Sequence, residues 1–252
     1  MTKKAVFSAI VKFLVLASCV LGLSLHRYSS SGGFMHSIYG AFTAQSNIWI
    51  SLICIIFFIM NAAGIKKNRL LYLIKFMFTS SILLTWLVFA VLLAPILDSS
   101  YILSPSNIFL HSITPILAMA DFLLFDNEFS ISLKSLWTVL VMPLIYLVFA
   151  FTVYEQSGSL PTYYFFLDYK KLGWFTMTST GIGTGFWILL LSAVLYLKGI
   201  ILLILKNSVI QGNSAAKALP FLKKRTVTAV SALTVMVLCS SVSTIISLII
   251  NS

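Results

Sequence analysis

The chain has 252 residues, of which 60% are hydrophobic and only 9% are charged, and its mean hydropathy is +1.03. A water-soluble domain of this size carries far more charge on its surface, so the composition excludes that class. Apolar runs of about 20 residues match the helix length that crosses a bilayer core of about 30 Å. These runs are continuous and do not alternate, which excludes a closed barrel. We therefore predict an all-α, polytopic transmembrane bundle of six to seven helices in a single domain.

The net charge of +11 does not indicate a nucleic-acid partner. The basic residues form short clusters between apolar runs, where they set the membrane topology and meet anionic lipid headgroups. The cysteines Cys19, Cys54 and Cys239 fall inside apolar runs and are expected to be small buried hydrophobes. No cofactor is predicted.

Seven candidate spans follow one another along the chain. The first is interpreted as an uncleaved helix, because its apolar run is longer than that of a signal peptide and contains Lys12. The predicted spans cover residues 5–25, 44–64, 70–95, 108–125, 136–154, 183–205 and 226–250.

The basic residues between the spans predict the topology. The inner segments would hold Lys3, Lys4, Lys66, Lys67, Arg69, Lys134, Lys206, Lys217, Lys223, Lys224 and Arg225, against Arg27, Lys170 and Lys171 in the outer segments. This bias predicts a multi-pass protein of the cell membrane, with the N-terminus in the cytoplasm and the C-terminus outside. Within the spans, Lys12, Lys75 and Lys198 are expected to extend to the inner surface.

The predicted outer loop of residues 155–182 contains the aromatic sequence PTYYFFLDYKKLGWF. Aromatic side chains at this density are typical of the headgroup level, so the loop is expected to be an interfacial anchor. A lid over an outward-facing pocket is the alternative. The stretch TGIGTG at residues 180–185 is not a dinucleotide-binding fingerprint, since no strand precedes it and a span follows.

The sequence FTAQSN places a polar group at the outer start of the second span. Thr43, Ser46 and Asn47 share one helical face. Such residues satisfy the free N–H groups at a helix start, so Thr43 is a candidate helix cap. Polar residues inside apolar segments are also candidates for a functional site in a membrane protein. The two interpretations are compatible.

The sequence HSITPILAMAD carries an imidazole and a carboxylate into the fourth span. His111 lies at the same predicted depth as Thr43, and Pro115 has no N–H to offer the carbonyl of His111, which opens that helical turn. His111 is therefore a candidate general base, with simple packing against a neighbouring helix as the alternative. Asp121 lies about 15 Å deeper. It is predicted to be structural or to act through another group, with Lys75, Tyr72 or Tyr146 as its partner.

The three histidines of the sequence are candidate metal ligands. His26 and His36 lie in the first outer loop and, with His111, give three imidazoles towards one face of the membrane. Their spacing matches no zinc motif, and no metal is predicted.

At these clusters the chain resembles the androgen-induced-gene family of multi-spanning membrane proteins and its bacterial relatives. The resemblance rests on FTAQSN, HSITPILAMAD, the residues Pro143 and Tyr146 of the fifth span, and PTYYFFLD, in that order from the first span to the sixth. Animal members are threonine hydrolases that cleave fatty acid esters of hydroxy fatty acids. The family is usually described with fewer spans than the seven predicted here. The resemblance to its bacterial relatives implies that the membrane is a bacterial plasma membrane.

The resemblance implies a role for each matching residue. It makes Thr43 the nucleophile and His111 the catalytic histidine, and it places the acidic residue that follows the histidine at Asp121. Ser46, Asn47 and Asp121 are the side-chain candidates for stabilising an oxyanion or supporting the site, and backbone N–H groups at the start of the second helix are the alternative oxyanion donors. A lipid or acyl-ester substrate from the bilayer is the expected partner. A small-solute transporter and a non-catalytic membrane scaffold are the alternative functions.

Overall fold

The computed structural model describes residues 3–26, 38–162, 164–178 and 181–215, with side chains described as far as residue 210. The protein is a membrane-embedded helical bundle, and six of its helical segments are long and apolar enough to cross a bilayer. These segments are Lys3–Ser24, Phe42–Ala62, Arg69–Ile96, Pro105–Leu124, Leu133–Ser157 and Thr184–Ile210. They confirm the first six predicted spans to within a few residues. The seventh predicted span, residues 226–250, lies outside the described residues together with Cys239.

The helices and strands follow one another in this order. They are α1 (Lys3–Ser24), α2 (Phe42–Ala62), α3 (Arg69–Val88), α4 (Ser99–Ile102), α5 (Pro105–Ile108), α6 (Thr114–Leu124), α7 (Val141–Ser157), α8 (Tyr169–Leu172), β1 (Met177–Thr178), β2 (Gly181–Ile182) and α9 (Thr184–Ala215). Two π-helical turns lie at Phe89–Leu93 and Phe109–Ile113, and 3-10 turns lie at Ile38–Gly40, Ala94–Ile96, Leu133–Leu140 and Phe165–Leu167. The two short strands form one antiparallel hairpin.

Local sequence explains where several helices begin and end. Asn68 caps α3 by accepting a hydrogen bond from the backbone N–H of Leu71. Ser104 precedes Pro105 at the start of α5. Proline suits this position because a backbone N–H there would have no partner within the helix. Gly158 ends α7 in the left-handed conformation, with a φ of 76°, which glycine adopts without strain.

Close packing fixes the segment that carries His111 against α1. A Cβ on Gly22 would come within 2.7 Å of the Leu110 side chain, so only glycine permits this approach. The Ser106 hydroxyl donates a hydrogen bond of 2.6 Å to the carbonyl of Gly22. Ser18 and Thr114 share a hydrogen bond of 2.7 Å between their hydroxyls. These contacts use small residues and hydroxyls, as helices in membranes commonly do.

A ring of four buried charges joins α1, α3 and α6 at the end of the bundle near the α2–α3 connection. Lys12 Nζ lies 2.7 Å from Asp121 and 3.0 Å from Asp126, and Lys75 Nζ contacts both carboxylates as well. All four side chains are at most 3% exposed. Burial alone would raise the pKa of Asp126, but Lys75 and Lys12 hold it below its usual range.

The ring corrects several predictions about charged residues. Lys12 and Lys75 do not extend to the membrane surface, because each finds two carboxylates inside the bundle. Lys75 is indeed a partner of Asp121, whereas the hydroxyl of Tyr146 donates a hydrogen bond to the backbone carbonyl of Gly40.

Two further lysines are also placed differently from the prediction. Lys206 does not lie in a loop: it is buried in α9 and donates to the carbonyls of Phe122 and Asp126, where α6 ends. A cation at this position stabilises the C-terminal end of the helix, because it binds carbonyl groups that have no partner within the helix. Lys198 donates to the backbone carbonyl of Ser80 on α3 rather than reaching the surface.

Candidate active site

The bundle brings Thr43 and His111 into contact at the end opposite the charge ring. Thr43 Oγ1 lies 3.1 Å from His111 Nε2, although the two residues are 68 positions apart in the chain. Thr43 is 7% exposed and His111 is 6% exposed. A hydroxyl and an imidazole at hydrogen-bond distance in a buried site form the pairing that activates a hydroxyl nucleophile.

Thr43 is held in place through its own backbone carbonyl. Ser46 Oγ donates to this carbonyl at 3.1 Å and Asn47 Nδ2 donates to it at 2.8 Å. Asn47 Nδ2 also donates to the carbonyl of Leu110 at 3.1 Å, which joins α2 to the segment that carries His111. The polar face predicted for this helix therefore exists and is buried.

The prediction that Thr43 caps the helix is wrong. Ala41 occupies the cap position, and no side chain in the described part of the chain caps α2 there. Thr43 lies inside the first turn, so its hydroxyl is directed to His111 instead of to the backbone. The 3-10 turn Ile38–Gly40, which directly precedes Ala41, sets the chain direction into α2.

Ser46 and Asn47 support the site but do not face the Thr43 hydroxyl. Besides its bond to the carbonyl of Thr43, Ser46 shares a hydrogen bond of 2.8 Å with the hydroxyl of Thr85. Both Nδ2 bonds of Asn47 go to backbone carbonyls. The hydrogen bonds of Ser46 and Asn47 are therefore made with the backbone or with α3, and not with the hydroxyl of Thr43. The third candidate, Asp121, lies in the charge ring, where its partners are Lys12, Lys75 and Cys54.

His111 lies in a π-helical turn. Residues Phe109–Ile113 form this turn, and the backbone N–H of Thr114 bonds to the carbonyl of Phe109, five residues earlier. The opened turn before Pro115 that the sequence predicted is therefore present. Single π turns inside helices are frequent at functional sites, because they redirect a side chain and relax the regular hydrogen-bond pattern.

A second π-helical turn contributes the wall on which the imidazole rests. The rings of Phe89 and His111 are stacked, with centroids 4.1 Å apart and planes 29° apart. Phe89 opens the π turn Phe89–Leu93 that extends α3. Two irregular turns from different helices therefore meet at the candidate base. Among the described residues no side chain hydrogen-bonds to Nδ1 of His111, so no third member of a triad is identified.

Tyr164 is a site residue that the sequence did not single out. Its hydroxyl lies 3.5 Å from Thr43 Oγ1, although 121 positions separate them. The signal available in the sequence was the aromatic stretch PTYYFFLD, which was interpreted as a membrane anchor or a lid. Tyr164 follows Tyr163, which lies outside the described residues.

The aromatic segment combines the two predicted roles. Phe166 and Leu167 are buried and line the cavity beside Thr43, as a lid would. Trp174 and Phe175 are 44% and 65% exposed, as expected of side chains at the headgroup level. One loop therefore closes the site with its first part and exposes apolar rings with its second.

Thr43 and His111 lie on the wall of an apolar cavity of about 690 Å³, a volume that includes its open mouth. Apart from the site residues and the aromatic segment, the wall is formed by Phe42, Leu84, Thr85, Val88, Leu93, Pro143, Tyr146, Leu147, Ile188, Leu191, Ser192 and Leu195. Pro143 and Tyr146, on which the resemblance partly rested, thus belong to the wall.

A second, more polar depression meets the first at Thr43, His111 and Tyr164. Its polar lining residues include His26, Tyr101, Ser104, Ser106, Asn107, Asp168 and Lys171. The reacting pair therefore has an apolar cavity on one side and a polar surface on the other. His36 lies outside the described residues, and within those residues no three His, Cys, Asp or Glu side chains are grouped closely enough to hold a metal ion.

The fold and the site together define a class: a membrane-embedded helical bundle with a buried threonine–histidine pair on the wall of an apolar cavity. No protein-family model, no curated protein and no solved structure matches the chain. The resemblance to the androgen-induced-gene family accordingly stays a prediction.

Proposed function

We propose that this protein is an intramembrane hydrolase of lipid esters, with Thr43 as the nucleophile and His111 as the general base. The observation that carries the proposal is the 3.1 Å contact between Thr43 Oγ1 and His111 Nε2 on the wall of an apolar cavity. A threonine hydroxyl is a weak nucleophile and requires an adjacent base. In this proposal the chain is a bacterial member of the androgen-induced-gene family.

The proposed reaction has two stages. Nε2 of His111, with the imidazole neutral and its proton on Nδ1, takes the proton of Thr43 as Oγ1 bonds to the ester carbonyl carbon. The tetrahedral intermediate then collapses, and the imidazolium protonates the departing alkoxide. Water, deprotonated by His111, then attacks the acyl-threonine, and the imidazolium returns this proton to Oγ1 of Thr43 as the bond from Oγ1 to the acyl carbon breaks and the fatty acid leaves.

The surroundings of the pair support an acyl-chain substrate. The cavity wall is formed largely by aliphatic and aromatic side chains of α3, α7 and α9. Burial of each methylene group contributes about 0.8 kcal/mol, so such a wall favours a hydrocarbon chain. In the proposal the substrate enters laterally from the lipid and lays its ester at the depth of Thr43. The N-terminus lies on the cytoplasmic side of the plasma membrane, with the site towards the outer face.

A fluorophosphonate probe with an alkyl chain tests the proposed nucleophile. Purified protein in detergent should form an adduct in which Thr43 Oγ1 is bonded to phosphorus and fluoride has left, because His111 accepts the hydroxyl proton. Peptide mass spectrometry locates the adduct. We expect the adduct in the wild type and its loss in His111→Ala.

The outcome separates the candidate functions. An adduct on Thr43 that depends on His111 supports the hydrolase. Folded protein without any adduct would favour the scaffold or transporter alternatives and overturn the proposal. Correct folding is checked by the elution volume in size-exclusion chromatography.

Blocking the cavity should change the preference for chain length. Ser192 lines the cavity on α9, whereas the next residue, Ala193, is exposed on the outer side of the same helix. We expect Ser192→Trp to raise KM for a dodecanoyl ester by about tenfold, because room for about two methylene groups is lost. A butyryl ester should be affected much less. Michaelis–Menten kinetics on both esters measure the difference.

Ala193→Trp is the matched control, since it adds the same side chain to the same helix outside the cavity. Its chain-length preference should equal that of the wild type. Equal effects of the two substitutions on both esters would show that the acyl chain does not occupy this cavity.

A further inference from the structure

The hydroxyl of Tyr164 approaches the same oxygen atom that His111 approaches. Thr43 Oγ1 has Nε2 of His111 at 3.1 Å and the phenolic oxygen of Tyr164 at 3.5 Å. The proposed mechanism uses the imidazole and leaves the phenol without a role. A polar group that faces the nucleophile in an apolar cavity is a candidate for a functional role, because polar groups are costly to bury there.

Packing holds the Tyr164 ring in place. It stacks on Phe166, with centroids 5.5 Å apart and planes 18° apart, and it meets Tyr146 edge to face at 6.1 Å. The backbone N–H of Leu167 donates to the carbonyl of Tyr164 at 2.8 Å, and the N–H of Tyr164 donates to the carbonyl of Thr162 at 2.9 Å. Catalytic donors must be held in this manner, because preorganisation is the source of their effect.

The phenol keeps its proton under physiological conditions. Burial raises the pKa of Tyr164 to about 12, while hydrogen bonding with Thr43 and with the backbone of Phe42 opposes the rise. Tyr164 is therefore a hydrogen-bond donor at neutral pH, and a neutral donor is what a developing oxyanion needs.

Ester hydrolysis requires such a donor, and the side chains that the sequence predicted for this role donate to other groups. The attack converts the carbonyl oxygen into an oxyanion, whose stabilisation is usually a large part of the catalysis. Ser46 and Asn47 direct their donors to the carbonyl of Thr43 and to neighbouring helices. Of the candidate side chains around Thr43, Tyr164 is the one whose hydroxyl faces the reacting oxygen.

We propose that Tyr164 donates its phenolic hydrogen to the oxyanion that forms when Thr43 attacks the ester carbonyl. This inference rests on the proposed hydrolase function. In the step, the bond between Oγ1 and the carbonyl carbon forms, the carbonyl π pair moves to oxygen, and the proton of Thr43 passes to His111. Tyr164 keeps its proton throughout and contributes a hydrogen bond, so it transfers no group.

The geometry permits this hydrogen bond. In the tetrahedral intermediate, Oγ1 and the oxyanion are bonded to the same carbon and lie closer together than any hydrogen-bond distance. A donor 3.5 Å from Oγ1 can therefore reach an oxyanion on its own side at about 2.7–3.1 Å. The contact of Tyr164 with Oγ1 is longer than that of His111, as expected of a donor that serves the intermediate rather than the hydroxyl itself.

Tyr164→Phe tests the inference, because it removes the hydroxyl and keeps the packed ring. We expect kcat for a dodecanoyl ester to fall about 10²-fold with little change in KM, as after loss of one oxyanion donor. Binding of a long-chain trifluoromethyl ketone, which adds Thr43 to form a tetrahedral oxyanion, should weaken to a similar degree. Binding of dodecanoate should be unchanged, since this ligand forms no tetrahedral adduct.

The control is Tyr169→Phe in the same loop, whose ring packs on Trp174 and Phe151 away from the cavity. It should retain wild-type kcat and ketone affinity. If Tyr164→Phe weakens ketone and dodecanoate binding equally, or leaves kcat intact while hydrolysis depends on Thr43, the assignment to Tyr164 is overturned and the hydrolase stands. Hydrolysis that does not depend on Thr43 overturns both.

Discussion

Replacement of Thr43 by alanine is expected to lower kcat/KM for acyl-ester hydrolysis by at least about 10³-fold. The substitution removes the nucleophilic oxygen. A water molecule in its place would be a poorer nucleophile, because it is not covalently held in position on α2 as Oγ1 is. Thr43→Ser keeps the hydroxyl and should retain measurable activity. The measurement is hydrolysis of a fluorogenic dodecanoyl ester by purified protein in detergent.

The control for this substitution is Thr152→Ala. Thr152 is exposed on α7, and its hydroxyl donates to the carbonyl of Val148 in its own helix. Thr152→Ala should hydrolyse the ester at the wild-type rate. Full turnover by Thr43→Ala would show that the hydroxyl of Thr43 is not the nucleophile, whatever its distance from His111.

Asp121→Asn is expected to give the largest loss of stability. The carboxylate is fully buried between Lys12 and Lys75, so its removal leaves two buried ammonium groups with Asp126 alone. Breaking a buried ion pair on one side costs about 3–5 kcal/mol, because the remaining charge is uncompensated. We expect the midpoint of thermal unfolding in detergent to fall by about 10 °C.

Two comparisons make the stability prediction specific. Glu155→Gln removes a carboxylate from an exposed pair with Lys170 at 3.5 Å and should change stability by less than about 1 kcal/mol. The double variant Lys75→Met with Asp121→Leu removes both charges and should be less destabilised than Asp121→Asn alone. An Asp121→Asn protein of wild-type stability that selectively lost solute flux in proteoliposomes would instead favour a transporter.

The charge ring also explains why Asp121 was difficult to interpret from sequence. A carboxylate in an apolar span predicts a partner, but one sequence does not say which basic residue on which helix supplies it. Lys12 lies 109 positions away on a helix whose own neighbours the sequence does not reveal. The positive-inside rule assigned Lys206 to an inner segment because it counts residues without knowing which ones are paired. The prediction that Lys12 extends to the inner surface likewise took no account of a partner inside the bundle.

Hydropathy by itself determined the helices of this protein. A helix satisfies its backbone hydrogen bonds internally, so an apolar run of sufficient length predicts a span without any knowledge of its neighbours. The same local logic predicted the polar face of Thr43, Ser46 and Asn47, and the opened turn before Pro115. Both features depend on residues within one or two helical turns.

Only the tertiary structure decided which of these residues meet. The contacts of Thr43 with His111 and Tyr164 join residues 68 and 121 positions apart. Ala41 occupies the cap position because of the direction in which the chain enters α2. Such contacts depend on the packing angle and register of whole helices. Those are set by many small side-chain contacts, such as that of Gly22 with Leu110, which no local pattern encodes.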